Sequence, residues 1–221
     1  MHKQSGKVSS PRELVYVSHT YAFYKRLTDI VISLLALIAL SPLILVLSVL
    51  IFIQDGHSPF YKQVRIGQYG KKFGMYKFRS MIFNADQVLK SDPELYKKYV
   101  ANSFKLPEGE DPRVTKIGAF IRKTSLDEIP QFVNVLMGQM SLVGPRPIVE
   151  KEEVEYGNRL RKFLSAKPGA LGLWQASGRA NIGYPERCDI ELEYVDNASY
   201  WYDVKVFFAC CISILKKDGA F

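Results

Sequence analysis

IVISLLALIALSPLILVLSVLIFI, residues 30–53, is an unbroken run of apolar and small residues that carries no charge. As a straight helix, roughly 24 residues at about 1.5 Å each would cover about 36 Å, enough to cross the hydrocarbon of a bilayer. The run is too long for the apolar core of a signal peptide and lacks a small-residue cleavage site, although Lys25 and Arg26 precede it. The plainest reading is one transmembrane helix. Two features favour another path. Pro42, in the middle of the run, cannot donate to the carbonyl of Ile38, and its ring clashes there, so the helix should kink at Ser41-Pro42. The Ser41 hydroxyl is a local partner for a freed backbone group. Both flanks are also basic. Lys3, Lys7, Arg12, Lys25 and Arg26 precede the run, and Lys62, Arg65, Lys71, Lys72, Lys77 and Arg79 follow it. A single span cannot put both flanks on the cytoplasmic side. A helix that enters, bends at Ser41-Pro42 and leaves by the same face satisfies both observations.

Around this segment the pattern is α+β and mostly helical. Residues 1–20 are polar and irregular, expected to be loosely ordered. Residues 21–58 form the membrane anchor, and 59–221 a second unit. Residues 59–79 alternate around a glycine-containing turn and predict a small β-hairpin. Helices are expected over 85–101, restarting at Pro93, and over 117–122, 126–137, 149–164, 185–195 and 199–216. The last is aromatic and amphipathic. Its Tyr200, Trp201 and Tyr202 suit a membrane interface, and plain core packing explains it equally well. Residues 167–184 read as a glycine-rich loop.

The 221 residues carry a formal net charge of +8, with a pI of about 9.3. Such an excess suits anionic partners: nucleic acid, phosphorylated substrates or an anionic membrane surface. No recognition helix or RNA-binding signature supports nucleic acid. Cys188, Cys210 and Cys211 make no disulfide framework, and His2, His19 and His57 are too scattered for a zinc site. Gly67, Gly70 and Gly74 do not form a P-loop.

Four clusters could carry chemistry. The first is RKTSLDEIPQFVNVL, residues 122–136. Ser125-x-x-Glu128 matches a capping box, a purely structural role. Asp127 and Glu128 fall at a helix start, where the dipole should keep an aspartate ionised. Two carboxylates near Arg113, Lys116, Arg122 and Lys123 can also serve as nucleophile and magnesium ligand in phosphoryl chemistry. The second is Tyr76-Lys77-Phe78-Arg79, where alternation puts Lys77 and Arg79 on one face, either in a site or along a solvated strand edge. The third is Gly144-Pro145-Arg146-Pro147. Two prolines fix the backbone around one arginine, which is a positioned phosphate grip or an ordinary turn. The fourth, residues 174–179 (WQASGR), offers aromatic, amide and guanidinium groups for a base or sugar. It reads equally as a structural loop with a buried tryptophan.

In this order behind a Ser-Pro membrane segment, these clusters resemble the bacterial sugar transferase family, monotopic polyprenyl-phosphate glycosyl-1-phosphate transferases. The matching stretches are KRLTDI (25–30), SP (41–42), YKQVRIGQYGKKF (61–73), YKFRSM (76–81), residues 111–147, KPGALGLWQASGR (167–179) and DVK (203–205). The resemblance implies a re-entrant helix and a catalytic unit over 59–221 on the cytoplasmic face of the bacterial inner membrane, in contact with inner-leaflet lipids. It implies that Asp127 attacks a UDP-sugar and releases UMP, and that undecaprenyl phosphate then collects the sugar phosphate. Glu128 would ligate Mg2+. Arg122, Arg146, Lys77, Arg79 and Arg179 match basic substrate-binding positions. Two departures stand out. Glu191 takes the place of an aspartate that many relatives carry. The chain also reads as a minimal form, without the N-terminal multi-span domain of many relatives. The loop GLWQASGR leans towards a hexose donor, galactose or glucose. A catalytically dead scaffold of the same pathway is the competing reading; the retained Asp127-Glu128 pair argues against it.

Overall fold

The computed structural model describes residues 18–101, 106–107, 109–178 and 182–216. Most of the expected N-terminal segment, residues 1–17, and Arg179 lie outside the described residues. Helix α1 spans His19–Asp55, followed by the antiparallel hairpin β1 (Phe60–Ile66) and β2 (Lys72–Phe78). Then come α2 (Ala85–Ser91), α3 (Pro93–Ala101), α4 (Lys116–Lys123) and α5 (Gln131–Leu136). Strand β3 (Ser141–Val143), the short helices α6 (Glu153–Tyr156) and α7 (Leu160–Phe163), strand β4 (Gly169–Leu171) and α8 (Leu173–Ser177) precede α9 (Glu186–Asn197) and α10 (Tyr200–Lys216).

Helix α1 is continuous through Pro42 and stops at Gly56, whose left-handed backbone lets its N–H reach Phe52 O at 2.7 Å. The carbonyl that Pro42 cannot serve is that of Ile38. The Ser41 hydroxyl donates to it at 2.8 Å, as the sequence leads one to expect. Phe23, Leu27, Val31, Leu34, Ile38, Leu45, Val49 and Phe52 form an exposed apolar stripe at helical spacing along nearly the whole helix. The opposite face is held at both ends by the rest of the chain. Near the N-terminus, the Arg26 guanidinium donates to Val135 O and Leu136 O, the last carbonyls of α5, at 2.6 and 2.7 Å. Asp29 accepts the Ser141 hydroxyl and the Leu142 N–H. Lys25 donates to Val143 O at 2.8 Å and pairs with Asp203 of α10 at 2.6 Å. Towards the C-terminus, Leu47 and Ile51 are buried in a cluster with Phe78, Ile121 and Ile129.

The hairpin forms where alternation predicts it, and helix formation restarts at Pro93 as expected. Asn134, fully buried in α5, clips the hairpin down: its Oδ1 accepts the Tyr76 N–H and its Nδ2 donates to Gly74 O, both at 2.8 Å. Strands β3 and β4 pair in parallel inside a core that includes Val135, Met140, Tyr194 and Val206. A third cluster joins Ile66, Ile148, Tyr156, Phe163 and Leu192.

Three expectations need correction. The helix over 149–164 is broken into 3₁₀ and α pieces at Gly157, whose φ of 50° and ψ of −128° leave the helical region. The helix over 126–137 is split: Leu126–Glu128 form a 3₁₀ turn, and α5 starts after Pro130. The loop over 167–184 contains β4 and α8, elements too short to register as a periodic pattern. Helix α10 packs one face on the core and leaves aromatic and aliphatic side chains exposed on another. Val206 and Cys210 are buried, while Trp201, Phe208 and Ile212 are exposed.

The β3–β4 contact is close enough to make a prediction. A Cβ on Gly169 would lie 2.1 Å from the Gly144 nitrogen, backbone against backbone. Gly169→Ala is expected to destabilise the fold by about 1–3 kcal/mol through overpacking. Gly183→Ala, whose Cβ would meet nothing within 4 Å, should be near neutral in the same thermal melt.

Candidate active site

The approach to Asp127 and Glu128 begins in α4. Thr115 caps this helix by accepting the Gly118 N–H at 2.9 Å, and α4 ends with Arg122 and Lys123. The chain then reverses at Ser125, a non-glycine residue in the left-handed region with φ 56°. Ser125 makes no side-chain cap bond, so the capping box does not form. The reversal delivers Asp127 and Glu128 in the 3₁₀ turn. Their neighbours Leu126 and Ile129 are anchored in the apolar cluster shared with Leu47 and Ile51 of α1. The carboxylate pair is thus seated against the long apolar helix.

Lys77 of β2 reaches both carboxylates. Its Nζ lies 3.3 Å from Asp127 Oδ2 and 2.9 Å from Glu128 Oε1. Arg146 Nη1 lies 3.9 Å from the same Glu128 oxygen. Asp127 is the more enclosed of the two, its side chain 12% exposed against 30% for Glu128. Burial pushes the Asp127 carboxyl above the ordinary aspartate range. Lys77 opposes that rise, the neighbouring Glu128 adds to it, and Arg122 opposes it. Asp127 sits in a 3₁₀ turn rather than in an α-helix, and desolvation is the largest influence on its carboxyl.

Lys77, Arg122 and Arg146 line one cleft of about 2630 Å³ with Asp127, Glu128 and Trp174. Arg79 lines it too, but its guanidinium is turned to the end of α1. It forms a two-pronged pair with Asp55 and donates to Ser58 O at 2.8 Å. The Arg79 N–H donates to Pro59 O at 2.8 Å, just beyond the last paired residues of the hairpin. Trp174 is buried, its indole N–H donating to Ile182 O at 2.9 Å.

Several contributors were not picked out from the sequence. Arg65, Glu152 and Arg187 form a charged cluster behind the Gly144–Pro147 turn. Arg187 lies 3.3 Å from Glu152, and its guanidinium sits 4.6 Å from the centre of the Trp174 ring. Arg65 Nη1 lies 3.6 Å from Glu152, and burial followed by the nearby Arg146 lowers its pKa to about 10. The one signal available was the four-residue spacing of Arg187 and Glu191 on a helix, which places them on one face.

The donor set bears on magnesium. Among the described residues no group of three or more His, Cys, Asp or Glu could hold a metal ion. The adjacent carboxylates of Asp127 and Glu128 therefore do not form a closed protein cage. They do fit an ion that takes one or two carboxylates and completes its shell with water and substrate phosphate, the habit of Mg2+.

Residues 20–217 match the family described as bacterial sugar transferase. The undecaprenyl-phosphate galactose phosphotransferase of Salmonella typhimurium is 45% identical over 203 residues, covering 90% of this chain and 42% of its own length. The UDP-galactose-lipid carrier transferase of Erwinia amylovora is 42% identical, covering 92% of this chain and 43% of its own. The exopolysaccharide production protein ExoY of Sinorhizobium fredii is 42% identical, covering 96% of this chain and 94% of its own. The chain thus spans less than half of the first two relatives and nearly all of the third. On the family match and on these identities, the chain belongs to the bacterial sugar transferase family.

Proposed function

We propose that this protein transfers a hexose 1-phosphate, galactose or glucose, from a UDP-sugar to undecaprenyl phosphate, releasing UMP. The observation that carries the reading is the Asp127–Glu128 pair bridged by Lys77 in an arginine-lined cleft, directly beside the long apolar helix. The names of the Salmonella and Erwinia relatives support the galactose donor and the lipid acceptor.

In this reading the Asp127 carboxylate attacks the β-phosphorus of the donor. A bond forms from Asp127 Oδ to phosphorus, the bond to the bridging oxygen breaks, and UMP leaves with that oxygen. A phosphosugar is left on Asp127. The lipid phosphate oxygen then attacks the same phosphorus, and the Asp127 carboxylate is expelled unchanged. Arg146 and Arg122 offer guanidinium groups to the phosphates, and Lys77 compensates charge at the carboxylates. Glu128 would hold Mg2+, an ion that when bound would draw charge off the diphosphate.

The same reading makes α1 a re-entrant element of the bacterial inner membrane that bends at Ser41-Pro42 and keeps residues 59–221 on the cytoplasmic face. Two observations favour it: both ends of α1 are bound to one and the same domain, and the exposed apolar stripe runs along the face between them. Tags on the two termini should therefore be equally open to protease from the cytoplasmic side. Protection of one and cleavage of the other would mean a single span.

Membrane-embedded protein given Mg2+, undecaprenyl phosphate and a panel of UDP-sugars is expected to release UMP from UDP-galactose or UDP-glucose. Asp127→Asn should lower that rate by at least about a thousandfold, as for loss of a covalent nucleophile. No UMP from any donor, with folded protein, would sink the reading. The pH dependence carries a sign. The nucleophile is the ionised form and its pKa is raised, so the rate climbs with pH through a point above the ordinary aspartate range. Lys77 holds that point down. In Lys77→Met the rise should move to higher pH in a pH–kcat profile, and an unmoved profile would separate Lys77 from Asp127.

A further inference from the structure

The Gly144–Pro147 turn is held on its acceptor side by two bonds, Pro145 O taking the Gly169 N–H at 2.9 Å and Pro147 O taking Arg65 Nη1 at 3.3 Å, whereas its donors are scarce. Pro145 and Pro147 have no N–H. The Gly144 N–H is spent on Leu171 O of β4 at 2.9 Å. Between the two prolines only the Arg146 N–H remains. It donates to both carboxylate oxygens of Glu191, at 3.2 and 3.1 Å.

Glu191 is an unusual residue to find there. It has no exposed surface at all. The groups around its carboxylate are Arg187 on its own helix, at 3.9 Å, Arg146 on the turn, Glu152 on the 3₁₀ turn before α6, and Tyr156 of α6. Burial drives its pKa up to about 7, with Arg187, the Arg146 N–H and the Arg146 charge opposing. A buried carboxylate held this loosely is a poor device for stability, because desolvation offsets much of its pairing. What it does achieve is geometric. The backbone N–H it holds belongs to the residue whose guanidinium lies 5.5 Å from the Trp174 ring centre and 3.9 Å from Glu128. Arg187, beside Glu191, is packed on the same Trp174 ring.

We propose that Glu191 is the positioning residue for Arg146: through the Arg146 N–H it sets the turn so that the guanidinium is presented, between Trp174 and Glu128, to the diphosphate of the nucleotide donor. This rests on the donor reading above, but not on the covalent step. Glu191 touches no substrate and acts only through Arg146.

A double-mutant cycle separates this role from a merely structural one. The full chain in lipid nanodiscs is titrated with UDP by calorimetry, and donor kinetics are followed by UMP release. Glu191→Leu, which removes both acceptor oxygens at similar volume, is expected to raise both the Kd for UDP and the donor KM about tenfold, the scale typical of lost supporting interactions, with a smaller change in kcat. In an Arg146→Ala background the N–H remains but the guanidinium is gone, and Glu191→Leu should have no further effect. Glu191→Asp keeps the carboxylate on a shorter arm and should recover part of the affinity; it also carries the cycle if the leucine variant does not fold. An equal loss in both backgrounds, or an unchanged Kd in the single variant, overturns the proposal. UDP binding with the expected coupling but without UMP release overturns the transferase reading and leaves this one standing. Absence of UDP binding by the unaltered protein overturns both.

Discussion

Two adjacent carboxylates in a largely enclosed cleft repel one another, and in this protein a single ammonium, Lys77 Nζ, lies against both. Burial raises the Asp127 carboxyl, and Lys77 is the largest influence opposing that rise. Much of the surrounding architecture keeps Lys77 in that place. Its strand is one half of a two-stranded sheet, too small to be stable alone. Asn134 supplies what the sheet lacks by bonding the backbone of Gly74 and Tyr76 to α5, the helix that follows the carboxylates. The donor of the cation and the bearer of the carboxylates are thereby tied together by one fully buried amide.

The long apolar helix takes part in this arrangement rather than serving only as an anchor. Its first turns are polar on the inner face. Lys25, Arg26 and Asp29 satisfy backbone groups of β3 and of the end of α5. Its later turns are apolar on that face and pack beneath Leu126 and Ile129, on either side of the carboxylates. The two halves of α1 thus hold the site by different physics, directional hydrogen bonds at one end and nondirectional burial at the other. A site assembled in this way rests on the same helix that offers an apolar stripe to the surroundings.

Much of the fold was legible from local pattern. The hairpin, the restart at Pro93 and the helices of residues 116–123, 186–197 and 200–216 follow from alternation, helical spacing and proline chemistry. The Ser41 hydroxyl could be matched to the carbonyl orphaned by Pro42 because both lie within one helical turn. The failures also have local causes. Gly157 is inconspicuous in a charged helical pattern until its backbone angles are known. Strand β4 has three residues and no period to detect. Arg79 lines the cleft with Lys77, as alternation suggests, but its pairing with Asp55, 24 residues away, could not be read from the local pattern.

For the site, the residue types that could perform phosphoryl chemistry were visible in sequence, because carboxylates, arginines between prolines and a charge-free apolar run declare themselves within a few residues. The protonation balance of Asp127, the bridging position of Lys77 and the grip of Glu191 on Arg146 were decided by tertiary structure alone. Lys77 and Glu128 are 51 residues apart, and Arg146 and Glu191 are 45 apart. The sequence by itself determined that the chain has an apolar segment long enough to cross a membrane, with a proline in it, and a carboxylate pair beyond it. Which cation meets that pair, and how deeply it is buried, depended on elements brought together by packing, since electrostatic interaction falls with distance in space and with access of water, not with separation along the chain.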